Sequence, residues 1–184
     1  MTPETVLTFW FGHDPTERRK EWFEKNSAFD AQCASFADPL RDAQAGLYDH
    51  WATTPQGALA LLVLLDQLSR NLHRGSGEAF AADGKAREVA RAMIAQGFDQ
   101  HLTPPQRMFV YLPFEHSEVL ADQDESVRLF ETLRDALGAE TIDYAHRHRD
   151  VIRRFGRFPH RNAALGRANT PEEDAYLAEP GAGF

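Results

Sequence analysis

The stretch Thr54-Pro55-Gln56-Gly57-Ala58-Leu59-Ala60-Leu61-Leu62-Val63-Leu64-Leu65-Asp66-Gln67-Leu68-Ser69-Arg70-Asn71-Leu72-His73-Arg74 decides the fold. Threonine before proline starts a helix: the hydroxyl caps a free N–H, and proline fits the first turn. From Gln56 to Leu65 every face of that helix is apolar, the pattern of a segment buried all round. Its strongly apolar core, Ala58 to Leu65, is far short of the ~20 residues that cross a bilayer. Beyond Leu65 the helix turns polar without a break. Asp66, Arg70 and Arg74 fall at i, i+4 and i+8, and Gln67 and Asn71 form a neighbouring row. Part of this polar face is expected to enter the interior, where it needs partners from the protein or from a ligand.

Working outward, the same start signal recurs at Thr2-Pro3, Asp14-Pro15, Thr103-Pro104 and Thr170-Pro171. Glu17, Gln106 and Glu173 stand at the capping-box position of three of these starts. Glycine stops are expected at Gly12, Gly75, Gly97 and Gly138. Apolar residues recur at three- and four-residue steps in Phe29, Cys33, Phe36 and Leu40, and in Val127, Phe130, Leu133 and Leu137. Ile142, Ala145, Ile152 and Phe155 continue the pattern. No segment alternates with period two, and no turn dipeptide joins two strand-like runs. Asp38-Pro39 is expected to kink or divide a long helix. The reading is an all-α chain of about eight helices. They pack as antiparallel pairs around the buried helix at approximately 54–74, with a tetratricopeptide-like shape but no tetratricopeptide sequence signature. A single domain over 1–184 is expected, with a loose Gly-rich tail at 179–184.

Composition narrows the function classes. Hydrophobic residues make up 42% of the 184 residues and charged residues 26%, a globular balance. The net charge of −8 argues against a nucleic-acid binder, and no segment suits a membrane. No basic leader opens the chain, so a cytoplasmic location is expected. Cys33 is the one cysteine and shares the apolar phase of Phe29 and Phe36, so it reads as core. No motif points to a cofactor or to a metal site: Gly-rich phosphate loops, a His-Glu-x-x-His helix and a Gly-x-Ser-x-Gly elbow are all missing. The charge is uneven, however. His146 to Arg167 carries seven arginines against one acid, Asp150.

Three constellations could carry chemistry. The first is the Asp66–Arg74 row, readable as a ligand face or as a structural ion-pair network. The second is Pro113-Phe114-Glu115-His116-Ser117-Glu118, where a histidine lies beside two carboxylates. It fits a general base or, equally, the start of a helix with an acid near its N-terminus. The third is Arg153-Arg154-Phe155-Gly156-Arg157-Phe158-Pro159-His160-Arg161-Asn162 with Gly166-Arg167. Here arginines flank two aromatic rings and could hold a carboxylate or phosphate. The same arginines could instead pin the C-terminal segment to acidic neighbours.

Those stretches resemble a bacterial family catalogued as domain of unknown function 924. The resemblance rests on Asp66-Gln67-x-Ser69-Arg70-Asn71-x-x-Arg74-Gly75, Ala79-Phe80-x-x-Asp83 and His116-Ser117-Glu118. It rests also on Phe155-Gly156-Arg157-Phe158-Pro159-His160-Arg161-Asn162-x-x-Leu165-Gly166-Arg167, and spans roughly Val6 to Glu173. It implies a compact helical fold similar to the tetratricopeptide-like superfamily and no assigned activity.

From the residues themselves, the leading expectation is a binding protein for a small anionic molecule or an acidic peptide. Asp66, Gln67, Arg70, Asn71, Arg74, Arg157, His160, Arg161 and Asn162 would form its pocket, provided that the two segments converge. The alternative is a hydrolase-type enzyme with His116 or His160 as base and Glu118, Glu115 or Asp66 assisting. A third reading is a protein-interaction scaffold.

Overall fold

The computed structural model describes residues 1–24 and 26–183. Every regular element among them is helical. The α-helices are α1 (Pro3–Phe11), α2 (Ser27–Cys33), α3 (Ala37–Gln44), α4 (Pro55–Leu62), α5 (Ser69–Leu72), α6 (Asp83–Ala95), α7 (Pro104–Glu115), α8 (Leu120–Glu131), α9 (Arg134–Leu137), α10 (Ala139–Phe155) and α11 (Pro171–Leu177). Short 3₁₀ turns join several of them. None of the described helices is long and apolar enough to cross a membrane. The chain divides into two compact units. One comprises Met1–Arg74 and Glu78–Pro113, the other Gly75–Gly77 and Phe114–Phe184.

The buried helix organises the first unit. Its residues from Ala58 to Ser69 are at most 7% exposed. Thr54 caps it as expected, its hydroxyl accepting the Gly57 N–H at 3.1 Å. The preceding turn sits directly on Gly57: a Cβ there would fall 2.2 Å from the Trp51 carbonyl oxygen. Only glycine admits so close a backbone approach. From Val63 to Leu68 the helix widens to a π-helix before returning to α geometry in α5. The wider turn lies where the sequence changes from apolar to polar, and it carries Asp66 and Gln67 into the interior at 1% and 7% exposure. Helix α1 packs against it, and Trp10 and Phe11 of α1 join Trp22, Phe29 and Phe109 in an aromatic cluster with ring centroids 4.9–5.7 Å apart, mostly edge to face.

The helix starts at Thr2, Thr54 and Thr170 are all capped by the threonine side chain, and Thr170 forms a complete capping box with Glu173. Asp14-Pro15 departs from expectation. The Asp14 carboxylate accepts from the Thr16 N–H (2.9 Å) and hydroxyl (2.6 Å), closing a local turn with no helix after it. The chain is held there by Arg19, which donates to the carbonyls of Phe9 and Trp10 at the end of α1. The segment around Pro39 is divided as expected, with a 3₁₀ turn at Ala34–Phe36 between α2 and α3.

In the second unit α8 and α10 pack against each other. Gly156, with φ of +69°, ends α10 in the left-handed conformation and turns the chain into Arg157–Asn162. Of the tail at 179–184, residues 179–182 close a turn, with the Ala182 N–H donating to Glu179 O at 3.2 Å. Phe184 lies outside the described residues.

Candidate functional site

The Asp66–Arg74 row is built into an ion-pair lattice of the first unit. Arg70 Nη1 lies 3.1 Å from Asp66 Oδ1, and its fork meets both carboxylate oxygens of Asp83 at 2.9 and 3.1 Å. It also donates to the Asp66 carbonyl and lies over the Phe80 ring. Gln67 donates to Asp66 Oδ2 at 2.5 Å. Asn71 donates to Asp30 Oδ1 (2.7 Å), and Arg74 holds the same carboxylate through Nε and Nη2 at 3.1 and 2.9 Å. Each polar side chain of the row thus has a protein partner. Burial and the neighbouring Asp30 push the Cys33 thiol up to about 11, so it stays protonated.

The arginine-rich stretch of the second unit splits into two groups. Arg157 belongs to a clamp centred on Glu173, 2% exposed. The Glu173 carboxylate accepts from Arg157 Nε (2.6 Å) and Nη2 (2.8 Å) and from the Thr170 N–H (2.7 Å). Asn162 Nδ2 also reaches it at 3.3 Å while donating to Asn169 at 2.7 Å. Arg157 above all, then the Thr170 N–H, holds Glu173 down to about 2. This clamp ties Asn162, the 3₁₀ turn Pro159–Arg161 and the start of α11 together.

The second group surrounds Phe158, whose side chain is fully buried. The Arg161 guanidinium lies over its ring, 4.5 Å from the centroid. The His148 ring meets it edge to face at 5.6 Å, and the His160 ring meets it tilted at 5.5 Å. The Phe158 N–H donates to Glu118 Oε1 at 2.8 Å. Glu118 in turn is held by the fork of Arg167 at 2.7 and 2.8 Å. Arg161 donates to the His116 carbonyl at 3.0 Å. Pro159 and the 3₁₀ turn it opens set His160 and Arg161 on consecutive positions, so both reach the ring of the residue before the proline.

The electrostatics of this group are those of a cationic setting with neutral imidazoles. Burial pushes His148 down to about 3 against its hydrogen bond to Tyr144 O, and His116, Arg161 and His160 add to the depression. His160, although exposed in its turn, is lowered to about 4, first by desolvation among its neighbours, then by Arg161, with Glu118 opposing. Burial works to raise Glu118, but Arg167 and the Phe158 N–H outweigh it and keep the carboxyl below its usual range. At neutral pH the rings of His148 and His160 are therefore uncharged beside a charged guanidinium. The Nδ1 of His148 is 2.8 Å from the Tyr144 carbonyl, so Nδ1 carries the proton and Nε2 keeps its lone pair. Glu115, 5% exposed, stands 3.5 Å from the same Nδ1. No three His, Cys, Asp or Glu side chains converge in metal-ligand geometry among the described residues.

Of the residues singled out from sequence, His160, Arg161 and Glu118 meet around Phe158, and the His116 carbonyl joins them. Asn162 and Arg157 stand one layer back in the Glu173 clamp, and Asp66, Gln67, Arg70, Asn71 and Arg74 belong to the first unit. Phe114-Glu115-His116 closes α7 and does not open a helix: α8 begins only at Leu120. Gln123 fills the gap, its side-chain amide donating to the carbonyls of Glu115 and Ser117 at 2.6 Å each. His148 was missed. Its signal was a lone polar residue in the Ala145–Ile152 apolar phase of α10, where it stands three residues after Ala145.

No curated protein matches the chain. A solved structure, that of the protein of unknown function ATU0120 from Agrobacterium tumefaciens, is 38% identical and superposes with a TM-score of 0.85, over 96% of each chain. The model of a family described as bacterial protein of unknown function (DUF924) matches residues 6–181. With a match over nearly its whole length, the chain belongs to that family.

Proposed function

We propose that the second unit binds a small anion, a carboxylate or phosphate or the acidic end of a peptide, beside Arg161. One observation carries the reading: Arg161, His148 and His160 all contact the single buried ring of Phe158. An anion there would meet one fixed positive charge and two imidazoles able to donate or accept. Its arrival would also raise the histidines' proton affinity, since an opposite charge favours the protonated form. The Glu118–Arg167 pair and the Glu173 clamp would hold the loop carrying Arg161 in place before the ligand arrives. Arg70, Arg74 and Arg157, already matched by carboxylates, serve the framework in this reading.

A second reading, a hydrolase-type enzyme, gains from one feature. His148 has its Nδ1 hydrogen committed to Tyr144 O with Glu115 alongside, which fixes the tautomer and the orientation of the ring. It would act on the same bound anion.

A thermal-shift series with inorganic phosphate, short dicarboxylates and an acidic peptide tests the primary reading. A ligand at one hundred times its dissociation constant adds about 2.7 kcal/mol, a rise of roughly 5–10 °C for a chain of this size. That rise, lost in Arg161→Met, supports the proposal. A rise that survives Arg161→Met places the anion elsewhere.

A further inference from the structure

Two buried side chains of α8 each carry an oxygen with no hydrogen-bond partner among the described residues: Gln123 Oε1 and Ser126 Oγ. Both residues are 0% exposed. The Gln123 amide nitrogen donates to the carbonyls of Glu115 and Ser117 at 2.6 Å each and approaches that of Phe114 at 3.4 Å. Carbonyl oxygens only accept, so these contacts fix which end of the amide is nitrogen. Oε1 is therefore an acceptor still in need of a donor. Ser126 follows one helical turn later on α8, a neighbour on the helix surface. A buried hydroxyl within a helical segment ordinarily bonds a carbonyl about one turn back. Thr132 does so to Leu129 O at 2.6 Å, and Thr141 to Leu137 O at 3.2 Å. Ser126 makes no such bond.

We propose that a single internal water molecule bridges Gln123 Oε1 and Ser126 Oγ. Their burial selects water over a larger ligand, because no solute reaches either side chain from the surface. The chemistry agrees. An amide oxygen needs a donor and a hydroxyl both gives and takes, and a water supplies both roles at once. The spacing agrees as well: Cβ atoms three residues apart on a helix stand about 5–6 Å from each other, within the span of one bridging water. Left without a partner, each oxygen would carry its full desolvation cost. The bridge backs the amide that holds the end of α7. Through Glu115 O, Gln123 anchors the residue whose carboxylate stands 3.5 Å from His148 Nδ1. The water is thus a support behind the imidazole cluster, and it does not depend on the anion proposed above.

A high-resolution crystal structure of the unaltered protein tests the bridge and needs no variant. The expected result is one ordered water within about 3.2 Å of both Gln123 Oε1 and Ser126 Oγ. A Ser126 hydroxyl bonded to the Asp122 carbonyl, a direct bond between the two side chains, a water touching only one of them, or no ordered water between them overturns it. Relaxation dispersion of the water oxygen nucleus gives a second readout in solution, since it counts water molecules held for longer than the protein tumbles. Ser126→Val removes the hydroxyl and fills its space with methyl groups. With circular dichroism confirming the fold, this variant is expected to hold one long-lived water fewer than the unaltered protein. An unchanged count contradicts the site.

Discussion

Arg70 holds Asp83 through two parallel hydrogen bonds, Nη1 to Oδ1 at 2.9 Å and Nη2 to Oδ2 at 3.1 Å. The same guanidinium neutralises Asp66, which is 1% exposed. Arg70→Met would leave two buried carboxylates facing each other without their cation. Breaking a buried network from one side costs roughly 3–5 kcal/mol. Urea denaturation should show a loss of that order, and a loss below about 1 kcal/mol would mean that water replaces the arginine readily.

Gly57 makes a sharper geometric prediction. An added methyl would collide with the Trp51 carbonyl oxygen, which is backbone and cannot swing aside. Alanine normally stabilises a helix over glycine. Here Gly57→Ala should destabilise by about 1–3 kcal/mol, the cost of overpacking. A thermal midpoint equal to or above that of the unaltered protein would contradict the packing described.

These two cases bound what the sequence made legible. The buried helix, its threonine cap and the polar continuation were readable because period and capping are local properties. The partners were not: nothing local links Arg74 to Asp30 or Arg157 to Glu173, which lie on other elements. The π-helix at Val63–Leu68 left no residue signal, yet it accompanies the burial of Asp66. The His160-Arg161 pair was readable from its arginine-rich, proline-broken setting. His148 was hidden by its apolar helical phase, which assigns it to core without revealing what it faces. Asp14-Pro15 misled because a cap residue serves a short turn as well as a helix, and Arg19 decided between them from five residues away.

His148 should make the fold acid-sensitive. Its folded value is about 3 against 6.5 unperturbed, so the unfolded chain takes up the proton first. The contribution is complete above pH 6.5 and falls as pH drops toward 3. At pH 4.5 the penalty is roughly 2–3 kcal/mol. Comparing the urea stability of the unaltered protein and His148→Gln at pH 7.5 and 4.5 isolates it, since other groups titrate in both. The difference between the two proteins should shift in favour of the variant on acidification. A difference independent of pH would place His148 in a more solvated setting.

Glu173 has the opposite sign. Its folded value is depressed to about 2 from 4.5, chiefly by Arg157. Its contribution is present above pH 4.5 and is lost as pH falls toward 2. Glu173→Gln should therefore destabilise at pH 7 and much less at pH 2.5, read as the gap between thermal midpoints. A gap of equal size at both values would show that the charge is not what holds the clamp.

The central claim is that Arg161 with its two neutral imidazoles receives an anion. Isothermal titration of inorganic phosphate at pH 7.5 and 5.5, into the unaltered protein and Arg161→Met, tests it most directly. The account predicts binding at both values, carried by the fixed charge of Arg161, since His148 and His160, lowered to about 3 and 4, are uncharged at either pH. It predicts at least a tenfold loss in the variant, about 1.4 kcal/mol. Absence of binding by the unaltered protein, or equal affinity in Arg161→Met, would contradict it.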